Sequence, residues 1–299
     1  MTKGDEDAIN KAFNVIKEFI AAKIIVPQFG DKPVIRIALS GAPCSGKSEF
    51  LHMVDQLKQK LCFGIYLTLV PEAATLLFEN GGLPGKLTNE GQAEQQVLLA
   101  ETAVNLENNL REQAQLHCRG LDDVKLIVQV VDRPVPDVLA FIDDDDVLQR
   151  FWAKLEADKP EVWSAMTDPL RYDAVFSLIT VAQAKGCEIE KSLLKNAHVI
   201  KNSHGENSLG DMHEDGDSLV SDSDYTQYYS WAESAVSTNK QRYHSPAMAW
   251  GCVKPHLTVY KDHHKHFIVG NNFNSGQEKA SAVINALFMM FNVNLKLVF

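Results

Sequence analysis

The stretch Gly41-Ala42-Pro43-Cys44-Ser45-Gly46-Lys47-Ser48 decides how the rest of the chain is read. Before it runs Val34-Ile35-Arg36-Ile37-Ala38-Leu39, short, apolar and β-branched. After it, from Glu49 to about Leu61, apolar residues recur at helical spacing. Strand, glycine loop and helix in that order are the context of a P-loop. Gly41 and Gly46 let the backbone curl so that successive N–H groups of residues 41–48 point inward at phosphate oxygens. The helix N-terminus adds partial positive charge. Lys47 is placed to reach the β- and γ-phosphates of ATP or GTP, and the Ser48 hydroxyl to hold Mg²⁺.

The 299 residues suffice for one α/β domain with insertions, and a hydrophobic content of 45% suits a soluble protein. No apolar run is long enough to span a membrane, and the N-terminus is acidic rather than signal-like. Five dispersed cysteines (Cys44, Cys62, Cys118, Cys187, Cys252), with no C-x-x-C pair, point to a reducing, cytoplasmic setting. The net charge is −10, but residues 205–224 alone hold seven acids and no Lys or Arg, so most of it is local. Without clustered Lys and Arg the chain has no nucleic-acid surface.

Ile9, Phe13, Ile16 and Ile20 share one face of a helix over residues 5–22, and residues 27–30 read as a connector. Phe63–Val70 is a second strand, apolar throughout and ending in Pro71-Glu72. Strand carboxyl ends line the ligand crevice of an open α/β sheet. Glu72 there reads equally as general base or metal ligand and as a helix-first-turn acid. Asn80–Gly85 is turn-rich, and Asn89–Gln115 is one long helix with most of its polar residues solvated. Val124–Val131 is a third strand closing on Asp132-Arg133. That Asp is placed for the second Mg²⁺ contact, through water, and that Arg to clamp a phosphoryl group or form a surface salt bridge.

Further on, Asp143–Asp146 reads as a solvated helix face, and Asp173–Thr180 as a fourth strand. Lys185, Lys191, Lys195 and Lys201 mark either a lid over the nucleotide or a solvated helix. Residues 202–224 form a mobile acidic insertion, the candidate surface for a protein partner. Within it Asp211, His213, Asp215, Gly216 and Asp222 have EF-hand-like spacing. His at the third ligand position and Asp at the last speak against calcium. Tyr225–Ala235 and Gln277–Phe291 read as helices, and 257–260 and 267–270 as short strands around His263, His264 and His266.

Taken together, G-A-P-C-S-G-K-S, V-P-E-A-A-T-L-L-F-E-N-G-G, V-V-D-R-P-V-P-D, Y-D-A-V-F-S-L and A-W-G-C-V-K-P-H-L-T-V-Y resemble a known family. It is the P-loop AAA-type ATPase/kinase-like domain family. That family includes the ribosylnicotinamide kinase domain of NAD-biosynthesis regulators and the GTP-binding translocation-defect proteins. The likeness runs from about residue 34 to 180 and resumes near 247. It implies a three-layer P-loop NTPase/kinase fold with a central parallel five-stranded sheet. It also implies Glu72 as the base that takes the acceptor's proton, Asp132 as the magnesium-side acid, and Arg133 beside the transferred phosphate. Two departures stand out. Pro134 follows D-R where the family has Gly, and the lid's Arg has no counterpart, the best match being Trp231-Ala232-Glu233.

The expected organisation is a helix and connector at 1–30 and a single P-loop NTPase domain at 31–299. The expected function is phosphoryl transfer from ATP or GTP to a small-molecule hydroxyl acceptor, nucleoside-like in class. A nucleotide-binding switch with little turnover and simple NTP hydrolysis are the alternatives.

Overall fold

The computed structural model describes residues 31–58, 65–81, 88–122, 124–180, 189–200, 246–271, 273 and 276–290. The helices expected at 5–22 and 225–235, most of the turn-rich loop, Lys185 and Lys201, the insertion at 202–224 and the apolar tail at 293–299 lie outside these residues.

The framework is one sheet. Its strands are β1 (Val34–Ser40), β2 (Ile65–Val70), β3 (Leu126–Asp132), β4 (Ala174–Leu178), β5 (His198–Ile200) and β6 (His266–Val269). They lie in the order β2-β3-β1-β4-β6-β5, and every pairing is parallel. A parallel sheet is covered on both faces, so its strands read as continuous apolar runs rather than alternating ones. Strand β4 shows this directly, with all five residues buried.

The sheet has six strands, not five. The extra one is β5, three residues on the edge beside β6. So short a strand has no periodicity to read, and its flanking lysines suggest a helix instead. A one-turn helix, α5 (Lys191–Leu194), does precede it. Residues 257–260 are not a strand either. They belong to helix α7 (Val253–Val259) and its cap. Leu-Thr-Val-Tyr has strand propensity, but Pro255 in the first helical turn suits a helix, and burying Leu257 against Ala42, Ile179 and Ile268 overrides propensity.

Helices cover both faces, which gives three layers. On one, α1 (Lys47–Lys58) and α8 (Gly276–Met290) pack Phe50, Met53, Val54, Val283 and Ile284 against Ile37, Leu39, Val128, Phe176 and Phe267. Phe176 and Phe267 stack across β4 and β6 at 4.8 Å. On the other, the 30-residue α2 (Asn89–Cys118) and α7 cover Ala38, Val131 and Val175. Helices α3 (Asp145–Asp158) and α4 (Pro160–Thr167) pack on α2, and α6 (Pro246–Gly251) leads into α7. The acid run at 143–146 starts α3: Asp144 Oδ1 accepts from the N–H groups of Asp146 and Val147. No helix among the described residues is long and apolar enough to cross a membrane.

Not all polar residues of α2 are solvated. Glu107 is fully buried. It accepts from Arg171 Nη2 and from Tyr172 OH, each at 2.7 Å, while its backbone O accepts from Gln129 Nε2 at 2.8 Å. The carboxylate thus joins α2 to the approach to β4, and the backbone carbonyl of the same residue joins α2 to β3. Arg171 is only 9% exposed, so losing Glu107 strands a buried guanidinium. Glu107→Ala is expected to cost about 3–5 kcal/mol in urea unfolding. A loss under about 1 kcal/mol would contradict this role.

Candidate functional site

Three strands end on one edge of the sheet, and each delivers a piece of the site. β1 runs into the loop 41–48, β2 into Pro71-Glu72, and β3 into Asp132-Arg133. In the loop, φ is +139° at Gly41, +54° at Cys44 and +92° at Gly46. These are left-handed values that favour glycine. At Gly41 the requirement is also steric, since a Cβ there would collide with the Leu178 carbonyl at the end of β4. The loop is therefore pressed against β4. Lys47 is 7% exposed, and its ammonium donates to Gly41 O at 2.5 Å, Ala42 O at 3.1 Å and Ser45 Oγ at 3.2 Å. Ser48, the second residue of α1, is exposed.

Arg133 is the hub beside the loop. Its φ of +55° is uncommon for a non-glycine residue and turns the chain sharply after β3. Its N–H donates to Leu39 O at 3.1 Å, fixing it to β1. Its Nε lies 2.5 Å from Glu72 Oε1, and both side chains are about nine-tenths buried, with 10% and 12% exposure. Glu72 Oε2 also accepts from Thr75 Oγ1 at 3.0 Å, just ahead of a π-helical turn at Thr75–Asn80. Arg133 Nη1 lies 3.4 Å from Gly41 O and 3.3 Å from His256 Nε2, and the guanidinium sits 4.9 Å from the Phe141 ring centroid. Burial works against its charge, but Glu72, Asp137 and Asp132 outweigh it and raise the Arg133 pKa. It is a permanent cation at the strand ends.

Sequence reasoning missed a second group. Asp137 is 2% exposed, in the 3₁₀ segment Val135–Phe141. Its Oδ1 accepts from Ser40 Oγ at 2.7 Å and Tyr260 OH at 2.9 Å. Its Oδ2 lies 3.8 Å from His256 Nε2. His256 Nδ1 is 2.6 Å from Cys252 O, which can only accept, so the proton is on Nδ1. Nε2 then accepts from Arg133. Burial, reinforced by Arg133, lowers the His256 pKa well below the usual range, and the ring is neutral. His256 and Tyr260, which both face Asp137, lie four residues apart along α7 and its cap. Reading 257–260 as a strand hides that spacing.

The structure thus brings together Lys47, Glu72, Asp132 and Arg133 at the carboxyl edge, with Asp132 in register with Leu39, two residues before Gly41. The Arg133–Glu72 pair lies away from the surface, with Thr75 as the second partner of Glu72. The histidine run is not one cluster. His263 Nε2 is 3.1 Å from Tyr172 O, and His266 Nε2 is 2.8 Å from Ser177 Oγ inside the sheet. Among the described residues no group of three or more His, Cys, Asp or Glu could hold a metal ion. A P-loop Mg²⁺ does not need one, because it takes one or two protein oxygens and completes its shell with phosphate and water. Ser48 and Asp132 are oxygen donors of that kind.

Parallel pairing, strand order and a glycine loop between β1 and α1 define a three-layer α/β fold with that loop at the carboxyl edge of its sheet. No protein-family model matches the chain, and no curated protein matches it. Among solved structures it is similar to thymidylate kinase from Ehrlichia chaffeensis. The identity is 11% and the TM-score 0.38, with 86% of this chain and 100% of that chain covered. A likeness of that degree carries nothing about residues or substrate.

Burial pushes the Asp137 carboxyl up to about 6, against the pull of Arg133 and its two hydroxyl donors. Between 3.8 and about 6 the native protein keeps a proton that the unfolded chain has released. Asp137's contribution to stability therefore falls as pH rises through that window. Asp137→Asn keeps the acceptor for Ser40 and Tyr260 and removes the titration. The melting temperature of wild type minus that of Asp137→Asn is expected to fall as pH rises through the window. A level difference would contradict the assignment.

Proposed function

We propose that the protein is a Mg²⁺-dependent P-loop kinase that moves the γ-phosphoryl group of ATP or GTP to a hydroxyl of a small acceptor, nucleoside-like compounds being the first class to test. The observation that carries the reading is the Glu72–Arg133 pair, 2.5 Å apart where β2 and β3 end beside the loop. Phosphoryl transfer needs positioning and charge neutralisation more than covalent chemistry. The amides of 41–48 and Lys47 bind the phosphates. Ser48 and Asp132 would hold Mg²⁺, which would supply charge neutralisation at the phosphate oxygens. Glu72 accepts the acceptor's proton as its oxygen bonds to the γ-phosphorus and the bridging oxygen leaves with the nucleoside diphosphate. Arg133 spreads its charge over the transferred group. The free cysteines among the described residues (Cys44, Cys118, Cys252) fit a reducing, cytoplasmic setting.

One observation favours a second reading, a nucleotide-binding switch with the acidic insertion as partner surface. Both Glu72 oxygens are already engaged, by Arg133 and by Thr75. A base so occupied must release a partner before taking a proton, and the family's lid Arg has no match here.

Phosphate transfer from labelled ATP and GTP to a nucleoside panel separates the two. Wild type is expected to phosphorylate at least one acceptor. Glu72→Gln should lose roughly 10²–10⁴-fold in transfer while nucleotide affinity stays within a few-fold. Lys47→Ala should lose nucleotide binding itself. Nucleotide binding without transfer or hydrolysis would favour the switch. Unchanged affinity in Lys47→Ala would remove the phosphate-loop assignment.

A further inference from the structure

Lys279 lies in α8 and is 1% exposed. A lysine buried that deeply ordinarily has a carboxylate partner. This one has two neutral oxygens: its Nζ donates to Ile179 O at 2.5 Å and to Asn271 Oδ1 at 2.9 Å. Asn271 Nδ2 in turn donates to Thr180 O at 2.6 Å. Thr180 Oγ1 donates to Pro43 O at 2.6 Å, inside the phosphate loop. The Leu178 carbonyl, two residues earlier, is the one Gly41 abuts. Leu178–Thr180 is thus the floor on which the loop rests, and Lys279 holds that floor from below.

The charged group acting on Lys279 is Lys47, a second cation. On α1, packed against α8, Glu49 and Asp55 are exposed. On β6, His266 is turned to Ser177 and lowered to about 4 by burial, hence neutral. On α8 itself the neighbour is Glu278, half-buried. The acceptor count agrees with this electrostatic setting. Two acceptors match the two N–H bonds of a neutral amine, whereas Lys47 has at least three among the described residues, as an ammonium needs. Burial first, then the Lys47 charge, holds the Lys279 amine well below the usual lysine range.

We propose that Lys279 is a proton-linked positioning residue: it fixes the 41–48 loop through Ile179, Asn271 and Thr180, and it goes from amine to ammonium when nucleotide phosphates occupy the loop. This rests on the reading of 41–48 as a phosphate loop. Polyphosphate cancels the field of Lys47 and favours the charged form. The proton comes from the solvent to the Nζ lone pair, and no covalent bond of the protein breaks. The ammonium then strengthens its bonds to Ile179 O and Asn271, which hold Thr180 and, through it, Pro43. Because binding takes up a proton, nucleotide affinity falls as pH rises.

The test is calorimetric titration with MgATP in two buffers of different ionisation enthalpy, at about pH 8, where phosphate with a pKa of ~6 is already ionised. Wild type is expected to take up a fraction of a proton per nucleotide bound. Lys279→Met is expected to bind several-fold more weakly with no uptake. Lys279→Arg, always charged, is expected to keep its affinity with no uptake. If Lys279→Met does not fold, wild type and Lys279→Arg decide the matter. Thr180→Val, which removes the bond to Pro43, should weaken affinity but keep the uptake. MgATP binding to wild type with equal heats in both buffers, or uptake undiminished in the Lys279 variants, overturns this inference alone. No nucleotide binding to wild type removes the phosphate-loop reading, and this inference with it.

Discussion

A guanidinium that is nine-tenths buried must be paired, and at Arg133 that requirement organises the whole carboxyl edge of the sheet. Its backbone is tied to β1 and its Nε to Glu72 after β2, while its Nη1 faces His256 on α7. Three strand ends and a helix from the far end of the chain therefore share one charge. Removing either partner of such a pair typically costs about 3–5 kcal/mol, because the other is left buried and unpaired. The left-handed φ at Arg133 adds strain that the surrounding contacts must offset. Strain at the end of a strand next to a glycine loop is where pre-organisation is useful. A cation fixed before a phosphoryl group arrives needs little reorganisation when charge develops.

The loop is constrained from both sides. On one, Gly41 meets the end of β4 and Thr180 holds Pro43. On the other, Ser40 donates to Asp137, which also accepts from Tyr260. The proposed binding of phosphates would require the amides of 41–48 in one fixed curve, and the sheet order would serve this. β1 lies between β3 and β4, so the segments leaving both neighbours can press on the loop 41–48. Lys47 and Lys279 are both deeply buried and differ in their acceptors, at least three around the first and two neutral oxygens around the second.

Much of this was legible in the sequence. The glycine loop, its flanking strand and helix, and the apolar runs ending in Pro71-Glu72 and Asp132-Arg133 predicted an all-parallel α/β fold and a common site edge, because buried parallel strands leave a continuous apolar signal. The parts that escaped had no local signal. β5 is three residues long, too short for periodicity. α7 has strand-like composition and is helical because its neighbours bury Leu257 and His256. Asp137, His256, Tyr260, Thr180 and Lys279 come from distant segments and matter only where the fold joins them. Glu107 did not stand out among the polar residues of α2 because spacing along a helix does not reveal that Arg171 and Tyr172 lie beneath it.

We propose that residues 41–48 bind nucleotide phosphates with Mg²⁺ at an edge built around Arg133. The most direct test is the melting temperature of the full chain titrated with ATP and GTP, with and without Mg²⁺. A ligand at a hundred times its dissociation constant stabilises the native state by about 2.7 kcal/mol. Phosphate binding at 41–48 predicts a melting temperature that climbs with nucleotide concentration and climbs further with Mg²⁺. A melting temperature unchanged by either nucleotide, with or without Mg²⁺, would contradict it.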